Sequence, residues 1–220
     1  TELVWCHAWD YDLYLELARL PAPAHHPKTA VFLDEYAPFH EDNVYCGRQS
    51  AFTAEQYYPV LLTFFEYIEK NFGYRIVVAA HPRSQYEKHP DFFKGREVVR
   101  GRTAELVKNA DLVIARMSAS INFAVIFRKP LLFFTSDALN NTPEARESVL
   151  FSAYFKQTPV NISRPYTLDG RHLTAFDAEL YARYQQEFIK RRDSPEKPFW
   201  QIVADTIKTI PSREGETLCH

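Results

Sequence analysis

Residues 111–137 read DLVIARMSASINFAVIFRKPLLFFTSD, and they hold one complete unit of an α/β fold. Residues 112–115 and 131–134 are short apolar runs without polar alternation, the pattern of strands covered on both sheet faces. Between them the polar turn Arg116-Met117-Ser118-Ala119-Ser120 leads into an apolar run of helical length at 121–127. Arg128 and Lys129 suit the negative end of a helix, and Pro130 blocks its continuation. Ser118 or Ser120 is expected to cap that helix and leave nearby amides to an anion, since such turns form the ligand-binding edge of open α/β sheets. Small hydroxyl residues also cap helices where nothing binds, so the other strand ends must add weight.

Upstream, the same rhythm repeats. Residues 29–33 predict a first strand that ends in Asp34-Glu35-Tyr36. Asp34 and Glu35 are candidate acidic site residues, as base, metal ligand or ribose binder. They are equally suited to capping loop amides. On extended backbone the two neighbours would point to opposite sides. Thr53, with Gln56 three residues on, starts a helix that runs to about residue 71 and ends at Gly73. Residues 74–80, YRIVVAA, predict a second strand, which runs into His81-Pro82-Arg83-Ser84. Pro82 holds His81 extended at the sheet edge. Arg83 can make paired hydrogen bonds to a phosphate, and Ser84 can add another or cap the next turn of chain. A lone histidine is more often structural, but this run at the end of a buried strand points to a ligand. His89-Pro90 repeats the dipeptide without a strand before it and reads as loop. A brief strand at 97–99 precedes a helix over 103–109, with Thr103 as its expected cap and Glu105 in its first turn, where the dipole alone accounts for a carboxylate.

Outside this alternation the pattern loosens. A helix is predicted at 144–155, a return loop with an edge strand at 154–162, a long helix over 174–192 and a last one after Ser194-Pro195. Residues 11–18 form a short amphipathic helix, and 21–27 a proline-rich linker whose adjacent His25 and His26 would not converge on one metal. The expected organisation is an N-terminal helix and linker at 1–27, a Rossmann-like domain with its C-terminal helices at 28–210, and a flexible tail at 211–220. The fold class is α/β: an open parallel sheet with helices on both faces. The chain begins at Thr1 rather than Met, so a further domain is expected before it.

The 220 residues, 46% hydrophobic, suffice for one good-sized core. A formal charge of −2 and no basic stripe argue against nucleic acid as a partner. Cys6, Cys46 and Cys219 show neither metal nor disulfide spacing, which fits a reducing, cytoplasmic setting.

FLDEYAPFHEDN, VVAAHPRSQY and the stretch GRTAELVKNADLVIARMSASINFAVIFRKPLLFFTSD resemble the C-terminal, nucleotide-binding half of bacterial surface-carbohydrate glycosyltransferases with two facing Rossmann-like domains, the GT-B arrangement. The resemblance covers about residues 28–210 and is strongest to the transferases that use CMP-activated sialic acid or Kdo in capsule and lipopolysaccharide synthesis. It implies a CMP-sugar donor substrate, no cofactor and no metal. A glycan or glycolipid acceptor, a facing N-terminal domain and a cytoplasmic location at the periphery of the inner membrane are implied as well. By the resemblance His81 and Pro82 match the His-Pro motif that contacts the CMP phosphate or helps it leave, with His81 as the catalytic candidate. Ser118 and Ser120 match the serine-rich phosphate turn. Arg116 approaches the same site, and Thr103 and Glu105 fall where the nucleoside pocket is lined. One departure is large. The family's catalytic carboxylate lies in its N-terminal domain, within an acidic pair followed by glycine, whereas Asp34-Glu35 precedes Tyr36 and opens the C-terminal half. No general base is therefore assigned in this chain. Two other readings stand beside this one: an epimerase or hydrolase acting on UDP-sugars, and a non-catalytic interaction domain of a polysaccharide-synthesis complex, for which an exposed apolar patch would speak.

Overall fold

In a computed structural model, residues 4–21, 27–40, 45, 47, 50, 52–142 and 145–209 are described. Six strands form one parallel sheet: β1 (Thr29–Leu33), β2 (Arg75–Ala80), β3 (Glu97–Arg100), β4 (Leu112–Ala115), β5 (Leu131–Thr135) and β6 (Val160–Asn161), in the order β3-β2-β1-β4-β5-β6. Five of them lie within residues 28–137 as predicted, and the two-residue β6 is the expected edge strand. Every pairing is parallel, with Val31 beside Val77 on one side and Val113 on the other. This is the architecture of a Rossmann-like domain and of one half of a GT-B fold.

Two apolar layers arise from the strict alternation of side chains along a strand. Phe32, Ile76, Val78, Ile114 and Phe134 face the long helix between β1 and β2, which runs Ala54–Phe72. Its Thr53-Gln56 capping box and left-handed Gly73 are those predicted. Val31, Ala79, Val113, Ala115 and Phe133 face the opposite layer. That layer contains α1 (Asp10–Leu17), counted first, then α3 (Thr103–Lys108) and α4 (Ile121–Ile126), with Ala54–Phe72 as α2. Tyr11 of α1 belongs to this core, and α1 packs on both α3 and α4.

After β5 come α5 (Asp137–Asn140), α6 (Ala145–Tyr154), α7 (Gly170–Thr174), α8 (Ala178–Tyr184) and α9 (Phe199–Thr209). The single long helix expected over 174–192 is not formed. The Asp177 carboxylate accepts from the Leu180 amide and starts α8 there, and a π-helical turn, Gln185–Ile189, ends it. Thr103 is the first residue of α3 rather than its cap, because Arg102 occupies the capping position. The proline-rich stretch 22–26 and the tail 210–220 lie outside the described residues.

All three tryptophans lie more than half exposed, at 51% for Trp5, 58% for Trp9 and 63% for Trp200. Trp9 packs against both Phe199 and Trp200, so α9 and the segment before α1 share an apolar patch.

Candidate functional site at the carboxyl edge of the sheet

The chain reverses its direction of sheet growth between β1 and β4, and ligands of open α/β sheets bind outside the strand ends at such a point. Three turns leave the sheet at that edge: 34–36 after β1, 81–84 after β2 and 116–120 after β4. All three strands are parallel, so His81 emerges on the same edge as Ser118 and Ser120. β1 separates their strands, and two strand spacings make the gap roughly 10 Å.

The acidic pair ties the three turns together. Asp34 is buried, and its carboxylate accepts from the Tyr36 amide (2.9 Å), the His81 amide (3.2 Å) and the Tyr86 hydroxyl (2.8 Å). The Tyr58 hydroxyl lies 3.1 Å from that of Tyr86, whose proton goes to Asp34, so Tyr58 donates in turn. Burial pushes the Asp34 carboxyl up from the ordinary 3.8 to about 6, against the pull of its hydrogen bonds. The Tyr86 and Tyr58 phenols are likewise held above their usual range, first by burial and then by the charge of Asp34. Glu35 turns the other way. One of its oxygens accepts from Arg116 Nε at 2.8 Å and Nη2 at 2.7 Å, and the other from the Met117 amide at 2.7 Å. The side chains of this ion pair are only 11% and 16% exposed. Asp34 therefore fixes the turn after β2, and Glu35 fixes the turn after β4.

The serine turn is built differently from the capped helix that its sequence suggests. Ser120 sits at the capping position without a side-chain cap bond, and Ser118 Oγ accepts from the Ser120 amide at 3.2 Å. The amides of Ile121, Asn122 and Phe123 donate to the carbonyls of Ser118, Ala119 and Ser120. The amides expected to greet an anion are thus already used within the turn. α4 is six residues long, so its dipole is small. The hydroxyls are anion donors at this turn, and Ser118 Oγ, having accepted an amide, keeps its own proton to give.

At the neighbouring turn the Arg83 amide donates to His81 Nδ1 at 3.3 Å, which leaves the imidazole proton on Nε2. Ser84 is buried, and its carbonyl accepts from Arg100. Pro82 and Arg83 are exposed. Thr103 and Glu105 begin α3, which lies over β1 and β2, and Glu105 is ion-paired with Arg102.

The sequence reading missed an aromatic cluster beside the Asp34 turn. His89, read there as plain loop, stacks on Phe39 at 4.3 Å, and its Nε2 lies 2.8 Å from the Tyr36 hydroxyl. The rings of His40 and His81 are 5.2 Å apart. Tyr58 and Phe92 stack at 4.2 Å. A proline directly after His89 and a tyrosine two residues after Ser84 were the available signals, but their convergence depends on the β1–β2 pairing. Among the described residues no group of three His, Cys, Asp or Glu side chains is arranged to hold a metal ion. No helix there is long and apolar enough to cross a membrane. Neither a protein-family model nor a curated protein matches this chain.

Proposed function

We propose that the carboxyl edge of β1, β2 and β4 binds the CMP part of a CMP-activated acidic sugar, sialic acid or Kdo, and that the chain is the nucleotide-binding half of a surface-glycan glycosyltransferase. The observation that carries this reading is the convergence of the His81-Pro82-Arg83-Ser84 turn and the serine turn on one edge, at the point where strand order reverses. The Ser118 and Ser120 hydroxyls supply donors on one side of a phosphate. His81 Nε2–H and the Arg83 guanidinium supply them on the other. Arg116, engaged by Glu35, holds the serine turn in place, and Thr103 and Glu105 lie toward the nucleoside. In the reaction an acceptor hydroxyl attacks the anomeric carbon. The bond from that carbon to the phosphate oxygen breaks, and its electron pair leaves with CMP. The hydroxyl proton passes to a base on the facing domain. His81 donates to the phosphate oxygen as negative charge builds there.

A second reading, a non-catalytic interaction domain, draws on the exposed aromatic patch of Trp9 and Trp200. Calorimetric titration with CMP and UDP separates the readings. The transferase reading expects CMP binding in preference to UDP. Preference for UDP favours the epimerase-like alternative, and no binding of either at millimolar ligand favours the interaction domain.

A further inference from the structure

An anion that spans the turns after β2 and β4 lies over the end of β1, because β1 stands between those strands, about 5 Å from each. Two carboxylates leave β1 at that point. Glu35 is paired with Arg116 at 2.7 Å, and its second oxygen accepts from the Met117 amide. Asp34 is only 4% exposed, and its three donors are all neutral: the Tyr36 amide, the His81 amide and the Tyr86 hydroxyl. The titratable groups around it are Glu35 on its own turn, Tyr57 and Tyr58 from α2, and Tyr86 from the short helical turn Tyr86–Lys88. His81 completes the set, and its ring lies 5.2 Å from that of His40. Asp34 thus keeps a charge that no hydrogen-bond partner neutralises. That charge sits under the crevice, one hydrogen bond from the backbone of the His81 turn.

We infer that an anion binding across this crevice is taken up together with a proton on Asp34, so that pH sets the affinity of the site through that carboxyl. The inference rests on the proposed function for the anion, and on the burial and neutral surroundings of Asp34 for the proton. A carboxylate beneath a bound phosphate repels it, and one proton from solvent on the carboxyl removes the repulsion. The change lies within reach, since burial already brings the free carboxyl to about 6. The local bonds survive it. A proton on Oδ2 is donated to the Tyr86 oxygen, which turns its own proton toward Tyr58, while the carboxyl oxygens still accept from the Tyr36 and His81 amides. By reciprocity, the factor by which the proton tightens the anion is the factor by which the anion tightens the proton.

Sulfate is the probe, because it stays a dianion across the range, whereas CMP takes up a proton of its own at about pH 6. The background is His81→Gln, which removes an imidazole that also gains charge in acid. Binding is followed by the amide resonances of residues 81–84 and 116–120. Sulfate affinity is expected to rise about tenfold from pH 8 to pH 5, and the Asp34 carboxyl-carbon resonance to titrate about one unit higher with sulfate than without. Adding Asp34→Asn should abolish the rise. Adding Tyr86→Phe removes a bond to the charged carboxylate and should move the midpoint up, which a midpoint belonging to His40 would not do. Where Asp34→Asn fails to fold, the carboxyl resonance and Tyr86→Phe decide. A rise that survives Asp34→Asn, or a carboxyl resonance that sulfate leaves unmoved, overturns the inference and leaves the anion site standing. No sulfate shifts at these residues at any pH overturns the anion site and the inference with it. Proton-coupled sulfate binding without CMP binding overturns the CMP reading and keeps the inference.

Discussion

Asp34 and Glu35 were readable from sequence as an acidic pair at a strand end, but not in what they do. Their division of labour depends on β2 and β4 flanking β1, a tertiary fact that no local pattern carries. The pH behaviour of Asp34 comes from its setting. The Asp34 carboxyl holds its proton more tightly folded than unfolded, being raised from 3.8 to about 6. It therefore adds stability that is fully present below about pH 4 and is lost as pH rises through about 6. The lowered carboxyls of Asp137, Asp169, Asp177 and Asp205 act in the opposite sense, and below their ordinary range. Between pH 4 and 7 wild type should lose about 2.4 kcal/mol relative to Asp34→Asn, measured by urea denaturation. Parallel pH profiles for the two proteins would contradict this role for Asp34. Glu35→Gln should destabilise the fold, because it removes the carboxylate that holds the nearly buried Arg116 and the Met117 amide. Glu35→Gln with Arg116→Met should recover much of that loss. A double variant no more stable than Glu35→Gln alone would show that the pair is not what holds the turn.

At the scale of elements, the strands were legible because apolar runs flanked by breakers leave little choice, and β1 to β5 fall where the runs fall. Helices proved less legible at their ends. The stretch 174–192 keeps an apolar stripe across a break, so periodicity alone joined what the Asp177 cap separates. The serine turn was located correctly but its donors were not, since amides that bond three residues back look the same in sequence as free ones. This changes what mutation should do. Ser118→Ala removes a hydroxyl donor together with the acceptor for the Ser120 amide. CMP affinity should fall about tenfold. Stability should drop by no more than about 1 kcal/mol, the usual effect of losing one capping-type bond. Retained affinity would move the phosphate off this turn. His81→Gln places an amide donor near the position of Nε2 and should bind CMP better than His81→Ala. Equal losses in the two variants would count against Nε2–H as the donor.

For the molecule as a whole, the Rossmann-like order was implied by the alternation of strands and helices, and the strand order then decides which ends meet. Asp34, His81 and Arg116 are distant in sequence and belong to three turns of one edge only because β1 lies between β2 and β4. The aromatic cluster of Tyr36, Tyr58, Tyr86 and His89 could not be foreseen for the same reason. On the proposed reading, in which the base lies on a facing domain, the chain by itself should bind CMP weakly and transfer no sugar. The most direct test of the central claim is a titration of CMP into isotopically labelled protein, followed by the amide resonances. Shifts concentrated at residues 34–36, 81–84 and 116–120 are predicted, with the opposite edge, around Lys28, Tyr74 and Leu131, unmoved. Shifts at that opposite edge, or none at millimolar CMP, would contradict the account.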